Sequence, residues 1–229
     1  LGASRILLID GLLMCCVTIS LFAAYEAVAG GAMRRKWWLV SSVACGLGFL
    51  AKGPIAIALL TPPVLAFCWL NAHDVRPRIR DWLLMGGVVA LIAAPWFIAV
   101  TLRQPDFARE FFYTHNVARF AGAFHAQPFW FFLPIIVIAF YPWSFLLIGV
   151  VGHCCSSRAE ARALRTPSVG YLVLWAVWCL AFFSVSKCKL PPYILPAMAP
   201  LAILAGRFLD QVLFSKEHSW GLAQARHWA

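Results

Sequence analysis

Charge is what this sequence has least of. Only 12% of its 229 residues are Asp, Glu, Lys or Arg, and nine acidic residues face nineteen basic ones. A soluble domain carries about 25% charged residues, so a water-soluble globular fold is excluded. Sequence signatures of common chemistries are missing too. There is no Walker loop or Rossmann glycine pattern, which argues against ATP or a dinucleotide. HExxH, GxSxG and paired-carboxylate motifs are equally absent. The eight cysteines form no CxxC pair. Cys15, Cys16, Cys45, Cys68 and Cys179 lie in apolar runs, Cys154 and Cys155 adjoin in a basic loop, and only Cys188 falls toward the other face. Neither a disulfide framework nor a zinc site is expected, and no metal or cofactor is assigned.

What the chain has is hydrocarbon. It is 62% hydrophobic and 15% aromatic, and the apolar residues gather into runs of about 17–25, the length a helix needs to cross a bilayer. Backbone groups in lipid must be satisfied within the segment, so these runs read as helices. The expectation is an all-α, polytopic transmembrane bundle of about seven crossings. Their ranges are 10–29, 38–51, 54–70, 82–102, 129–151, 169–186 and 191–209. The second and third are short and meet at Ala51-Lys52-Gly53-Pro54, which reads as a tight or re-entrant hairpin. Leu1 borders an apolar run with no signal-peptide features, so an internal piece of a longer protein, or one with a truncated start, is expected.

Basic loop residues set the orientation. Arg34, Arg35 and Lys36, then Arg76, Arg78 and Arg80, then Arg158, Arg162 and Arg165 all fall on one side of this topology. That side is taken as cytoplasmic, with residues 1–209 as the membrane region and 210–229 as a cytoplasmic tail. The +10 charge is divided among membrane flanks, so nucleic acid is not an expected partner. A second set of cations sits on the outer side against this bias: Arg5, Lys52, Arg103, Arg109, Arg119, Lys187 and Lys189. An anionic ligand there would explain them; snorkelling to lipid headgroups is the alternative. In the outer loop 103–128, Phe107, Phe111, Phe112 and Phe120 alternate with Arg109, Glu110, His115 and Arg119. This spacing suggests an amphipathic helix lying in the interface. Asp10, an ionisable group at a helix boundary, is a functional candidate by default. Two classes survive: an enzyme acting on a phosphate-bearing lipid at the outer face, or a transporter or flippase moving such a lipid.

Four stretches carry a resemblance: Arg5-Ile-Leu-Leu-Ile-Asp10; Cys45-Gly-Leu-Gly-Phe-Leu-Ala-Lys52-Gly-Pro54; the block from Pro95-Trp96 through Asn116 and Arg119-Phe120 to Pro142-Trp143; and Phe182-Phe183-Ser184 followed by Lys187-Cys188-Lys189-Leu190-Pro191-Pro192-Tyr193. In order and spacing the chain resembles the central part of the bacterial aminoarabinose transferases and protein O-mannosyltransferase-like enzymes. These are membrane glycosyltransferases of the C-type fold.

The resemblance implies an inverting transfer of a sugar from a polyprenyl-phosphate donor to a lipid, glycan or protein acceptor, as in lipid A modification or protein mannosylation. It would take place among membrane lipids at the outer face of the inner membrane. It carries over Asp10 as the acidic, catalytic position. Arg5, Lys52, Asn116, Arg119, Lys187, Lys189 and Tyr193 are carried over as candidates around the donor phosphate. The family's first outer loop, with its expected acidic residue, precedes the matched region and has no equivalent here, so the isolated chain is expected to be inactive. His115 and Asn116 stand where family members often carry Glu followed by His or Asn.

Overall fold

The computed structural model describes residues 2–71, 75–118, 127–155 and 166–210. Eight α-helices are described: α1 (Gly2–Val28), α2 (Arg35–Lys52), α3 (Ile55–Leu70), α4 (Ile79–Arg103), α5 (Phe132–Ala139), α6 (Ser144–Cys155), α7 (Pro167–Val185) and α8 (Leu195–Leu209). A π-helical segment, Arg109–Ala118, follows α4, and short 3-10 turns lead into α5 and α8. No strand lies among the described residues. The fold is the all-α membrane bundle its composition dictates.

The helices α1 and α2 lie antiparallel, and three polar pairs fix their register. Asp10 meets Lys52 at one end, Ser20 meets Ser41 midway, and Glu26 meets Arg34 at 3.1 Å at the other. The serine pair is reciprocal, each hydroxyl donating to the other residue's backbone carbonyl at 2.8 Å. Small polar side chains of this kind hold helices together where the hydrophobic effect offers no preference for protein over lipid. Next to α2, α4 runs parallel to it. Trp38 donates its indole N–H to Asp81 O at 2.8 Å, and at the far end Phe49 meets Phe97 edge-on. Between these points Gly46 lets the helices approach, since a Cβ there would stand 2.8 Å from Ile92.

On the other side of α1, α3 and α7 are antiparallel and share the buried core of Phe67, Tyr171 and Trp175. Pro62 and Pro63 sit inside α3. Pro62 has no N–H to give the carbonyl of Ala58, four residues back. The indole of Trp178 on α7 supplies the missing donor, at 2.8 Å. Neighbouring helices commonly re-satisfy such carbonyls in membranes. Finally α8 turns back along α7, where Arg207 reaches Ser168.

Among the described residues, four helical stretches are long and apolar enough to cross a membrane alone: Ile9–Val28, Ile79–Arg103, Pro167–Val185 and Pro191–Leu209. The expected single crossing 129–151 is instead broken. Its two halves meet at 114°, around a turn through Phe140–Trp143 that contains Pro142, which cannot donate to a continuing helix. Counted as one span, this pair is the fifth. The α2–α3 hairpin completes the bundle, α3 being a shorter apolar helix. The third basic cluster, 158–165, and the proposed tail beyond residue 210 lie outside the described residues.

Candidate functional site

The antiparallel and parallel pairings put the two sets of cations at opposite ends of the bundle. Arg34, Arg35 and Lys36 share one end with Arg78 and Arg80, because Trp38 ties the start of α2 to the start of α4. The hairpin turn at Gly53, the π-helical segment and the loop 186–190 share the other.

At that second end Asp10 projects from α1 and is 3% exposed. Its Oδ1 is ion-paired with Nζ of Lys52, the last residue of α2. Removing one partner of a buried pair leaves an uncompensated charge, so the two residues stand or fall together. Lys52 also lies over the ring of Tyr193, Nζ 4.4 Å from the centroid, a cation–π arrangement. Tyr193 is carried by the Pro191–Ile194 turn at the head of α8. Three distant stretches of sequence therefore converge on one ammonium.

Gly53 makes the convergence possible. Its φ of 73° is left-handed, and a Cβ there would meet the Phe111 ring at 2.8 Å. Only glycine accepts both without strain. The segment Arg109–Ala118 presses on this point from above. Phe111 and Phe112 face inward and join Phe97 at ring separations of 5.0 and 5.2 Å, while Arg109, Glu110 and Tyr113 are exposed. The amphipathic character expected for this loop is present here, wound as a π-helix. Asn116 donates from Nδ2 to Phe111 O at 2.7 Å. Together Lys52, Phe111, Asn116, Phe183, Ser186 and Tyr193 line a cavity of about 130 Å³.

The remaining candidates divide. Lys187 is exposed beside this cavity's wall. Lys189 is 3% exposed and donates to two backbone carbonyls, Ser186 O and Gln127 O. Burial pushes its ammonium below the usual lysine range, partly offset by neighbouring Cys188. Gln127 N returns a bond to Lys187 O at 3.0 Å. Arg119 and the side chain of Arg5 lie outside the described residues. Sequence reasoning did not single out Ser186, whose hydroxyl donates to Cys188 O, or Phe111 as a wall residue. The short Ser-Val-Ser-Lys-Cys-Lys run was the available signal for the first; nothing in the sequence distinguished Phe111 from its aromatic neighbours. No group of His, Cys, Asp and Glu suited to a metal occurs among the described residues.

Known proteins are similar to this chain in sequence and in fold. The arabinosyl transferase of Pseudomonas paraeruginosa named for undecaprenyl phosphate-alpha-4-amino-4-deoxy-L-arabinose is 38% identical over 205 residues, covering 86% of this chain. A Pseudomonas fluorescens enzyme of the same name, form 1, is 42% identical over 178 residues, 75% of this chain. The family described as Dolichyl-phosphate-mannose-protein mannosyltransferase matches residues 2–99. In structure, ArnT from Cupriavidus metallidurans bound to undecaprenyl phosphate superposes with a TM-score of 0.68 at 29% identity, over 93% of this chain. The chain belongs to the aminoarabinose transferase and protein O-mannosyltransferase-like family. It spans about a third of the length of these relatives, 35% of the first and 37% of the crystallised ArnT. The likeness to the crystallised ArnT takes in nearly the whole bundle, 93% of this chain.

Proposed function

We propose that this chain forms part of the donor site of a glycosyltransferase that uses a polyprenyl-phosphate sugar, at the outer face of a bacterial inner membrane. The observation that carries the reading is that Lys52, paired with Asp10, meets Tyr193 in the wall of one cavity, at the bundle end opposite the basic loops. The positive-inside bias of those loops supports an outward site. The likeness to an ArnT bound to undecaprenyl phosphate supports the donor class.

In the proposed reaction an acceptor oxygen, on a lipid, glycan or protein, forms a bond to the anomeric carbon. The bond from that carbon to the phosphate oxygen breaks, and polyprenyl phosphate leaves with the electron pair. Charge grows on the leaving phosphate, and a preorganised ammonium and phenol stabilise charge that develops in the transition state. Lys52 and Tyr193 take that role, with Asn116, Lys187, Arg5 and Arg119 as further polar partners. Asp10 holds Lys52 in place and receives the acceptor proton. Lys189, already engaged by two carbonyls, supports the wall.

The test is transfer of radiolabelled sugar from a polyprenyl-phosphate donor in membranes carrying the protein, beside Asp10→Asn and Lys52→Met variants matched for abundance. The expected loss in each variant is at least about a hundredfold. Unchanged transfer would remove the site assignment. Labelled lipid crossing the bilayer with its glycosidic bond intact would replace the enzyme by a transporter.

A further inference from the structure

The opposite end of the bundle carries its own unbalanced charge. Arg34, Arg35 and Lys36 open α2, and Arg76, Arg78 and Arg80 lead into α4; all six are exposed. The Trp38 indole bond to Asp81 O and the Trp38–Trp82 ring contact at 5.1 Å hold these two helix starts side by side. Parallel packing thus adds two positive helix ends to the field of the side chains, instead of opposing it.

Among the described residues, few anions answer them. Glu26 is used by Arg34, and Arg76 is turned onto the Cys68 carbonyl. Asp81 is 7% exposed and accepts the Arg78 backbone N–H at 2.8 Å, leaving Arg80 a contact of 3.9 Å. Arg35, Lys36 and Arg78 have no carboxylate partner among the described residues. Immediately beyond the cations, Leu39 and Val40 of α2 and Leu83 and Leu84 of α4 turn apolar side chains outward. Trp37 on α2 and Trp69 at the end of α3 are also exposed, as aromatic residues at membrane interfaces commonly are. A ligand fitting this surface has a negative head and a hydrocarbon body.

We infer that Arg35, Lys36 and Arg78 form a binding site for an anionic phospholipid headgroup, with the acyl chains lying along the outward faces of α2 and α4. Basic pockets between membrane helices bind such headgroups, and each surface cation contributes about fivefold in affinity for anionic lipid. The site is separate from the Asp10–Lys52 cavity and does not depend on the transferase reading.

To test it, the protein is reconstituted in phosphatidylcholine nanodiscs doped with phosphatidylglycerol. Lipids retained after mild detergent release are then counted by native mass spectrometry. The wild type and a control that removes two cations from the opposite end, Arg103→Gln/Arg109→Gln, should retain phosphatidylglycerol preferentially, and Arg35→Gln/Lys36→Gln/Arg78→Gln should lose up to about a hundredfold of that preference. Because loop cations also guide insertion, Arg35→Lys/Arg78→Lys serves as a second variant and should keep the enrichment. Wild-type enrichment should also fall when NaCl is raised to about 0.5 M. A wild type with no preference for phosphatidylglycerol, or a triple variant that keeps it, overturns the site. Displacement of the lipid by inorganic phosphate as readily as by phosphatidylglycerol would show a phosphate site without lipid selectivity, and overturns it equally.

Discussion

At the scale of single residues, two lysines of one end have opposite situations, and the difference is testable. Lys52 meets a carboxylate and a ring at the cavity, whereas Lys189 spends its donors on Ser186 and Gln127 carbonyls. Lys189→Met should lower thermal stability by about 1.5–3 kcal/mol, the range for hydrogen bonds to a charged group. A rise in donor KM with an unchanged melting temperature would instead make Lys189 a phosphate ligand. Gly53→Ala should cost more than about 1 kcal/mol, because alanine must adopt a positive φ and its Cβ meets Phe111; an unchanged melting temperature would contradict this. Asp10, Lys52 and Tyr193 were legible in the sequence as members of motifs. The two uses of lysine were not, because Lys187-Cys188-Lys189 reads the same whichever side chain turns inward.

Among the helices, the hydrogen bond from Trp178 to Ala58 stands in for the donor that Pro62 lacks. Trp178→Phe should therefore destabilise the bundle by about 1 kcal/mol. Pro62→Ala in the same background should recover most of that loss, since alanine at this position restores the intrahelical donor. Thermal unfolding in detergent of the two single variants and the double variant measures the coupling; additive effects would show that the bond is not a substitute. Helix existence followed directly from apolar runs and the Gly-Pro break at 53–54. The bend between α5 and α6 did not, because Tyr141-Pro142-Trp143 is equally at home at an aromatic membrane interface. The π-helical winding of 109–118 escaped as well, since its aromatic spacing also suits an α-helix.

For the whole molecule, the separation of the two charged ends predicts opposite accessibility. With Cys154 and Cys155 replaced by Ser, a membrane-impermeant maleimide should label Lys187→Cys in intact cells, and Lys36→Cys only after permeabilisation. Labelling of both from one side would contradict the bundle's polarity. The basic loops made this polarity legible in the sequence. Nothing in the sequence, however, says that α2 and α4, parallel in that topology, lie in contact. That contact follows from residues such as Trp38, by its indole, and Gly46, by its lack of a side chain, whose partners are more than forty residues away.

The Trp178–Ala58 bond also bears on the order of synthesis. When α3 leaves the ribosome, the carbonyl freed by Pro62 has no donor, and the one it will use lies 120 residues further along the chain. Until α7 is made, α3 enters hydrocarbon with an unpaired oxygen. A nascent chain stopped before Pro167 should accordingly hold α3 less firmly in the bilayer than a chain extended through Val185. The insertion of an early helix would then be completed by a late one.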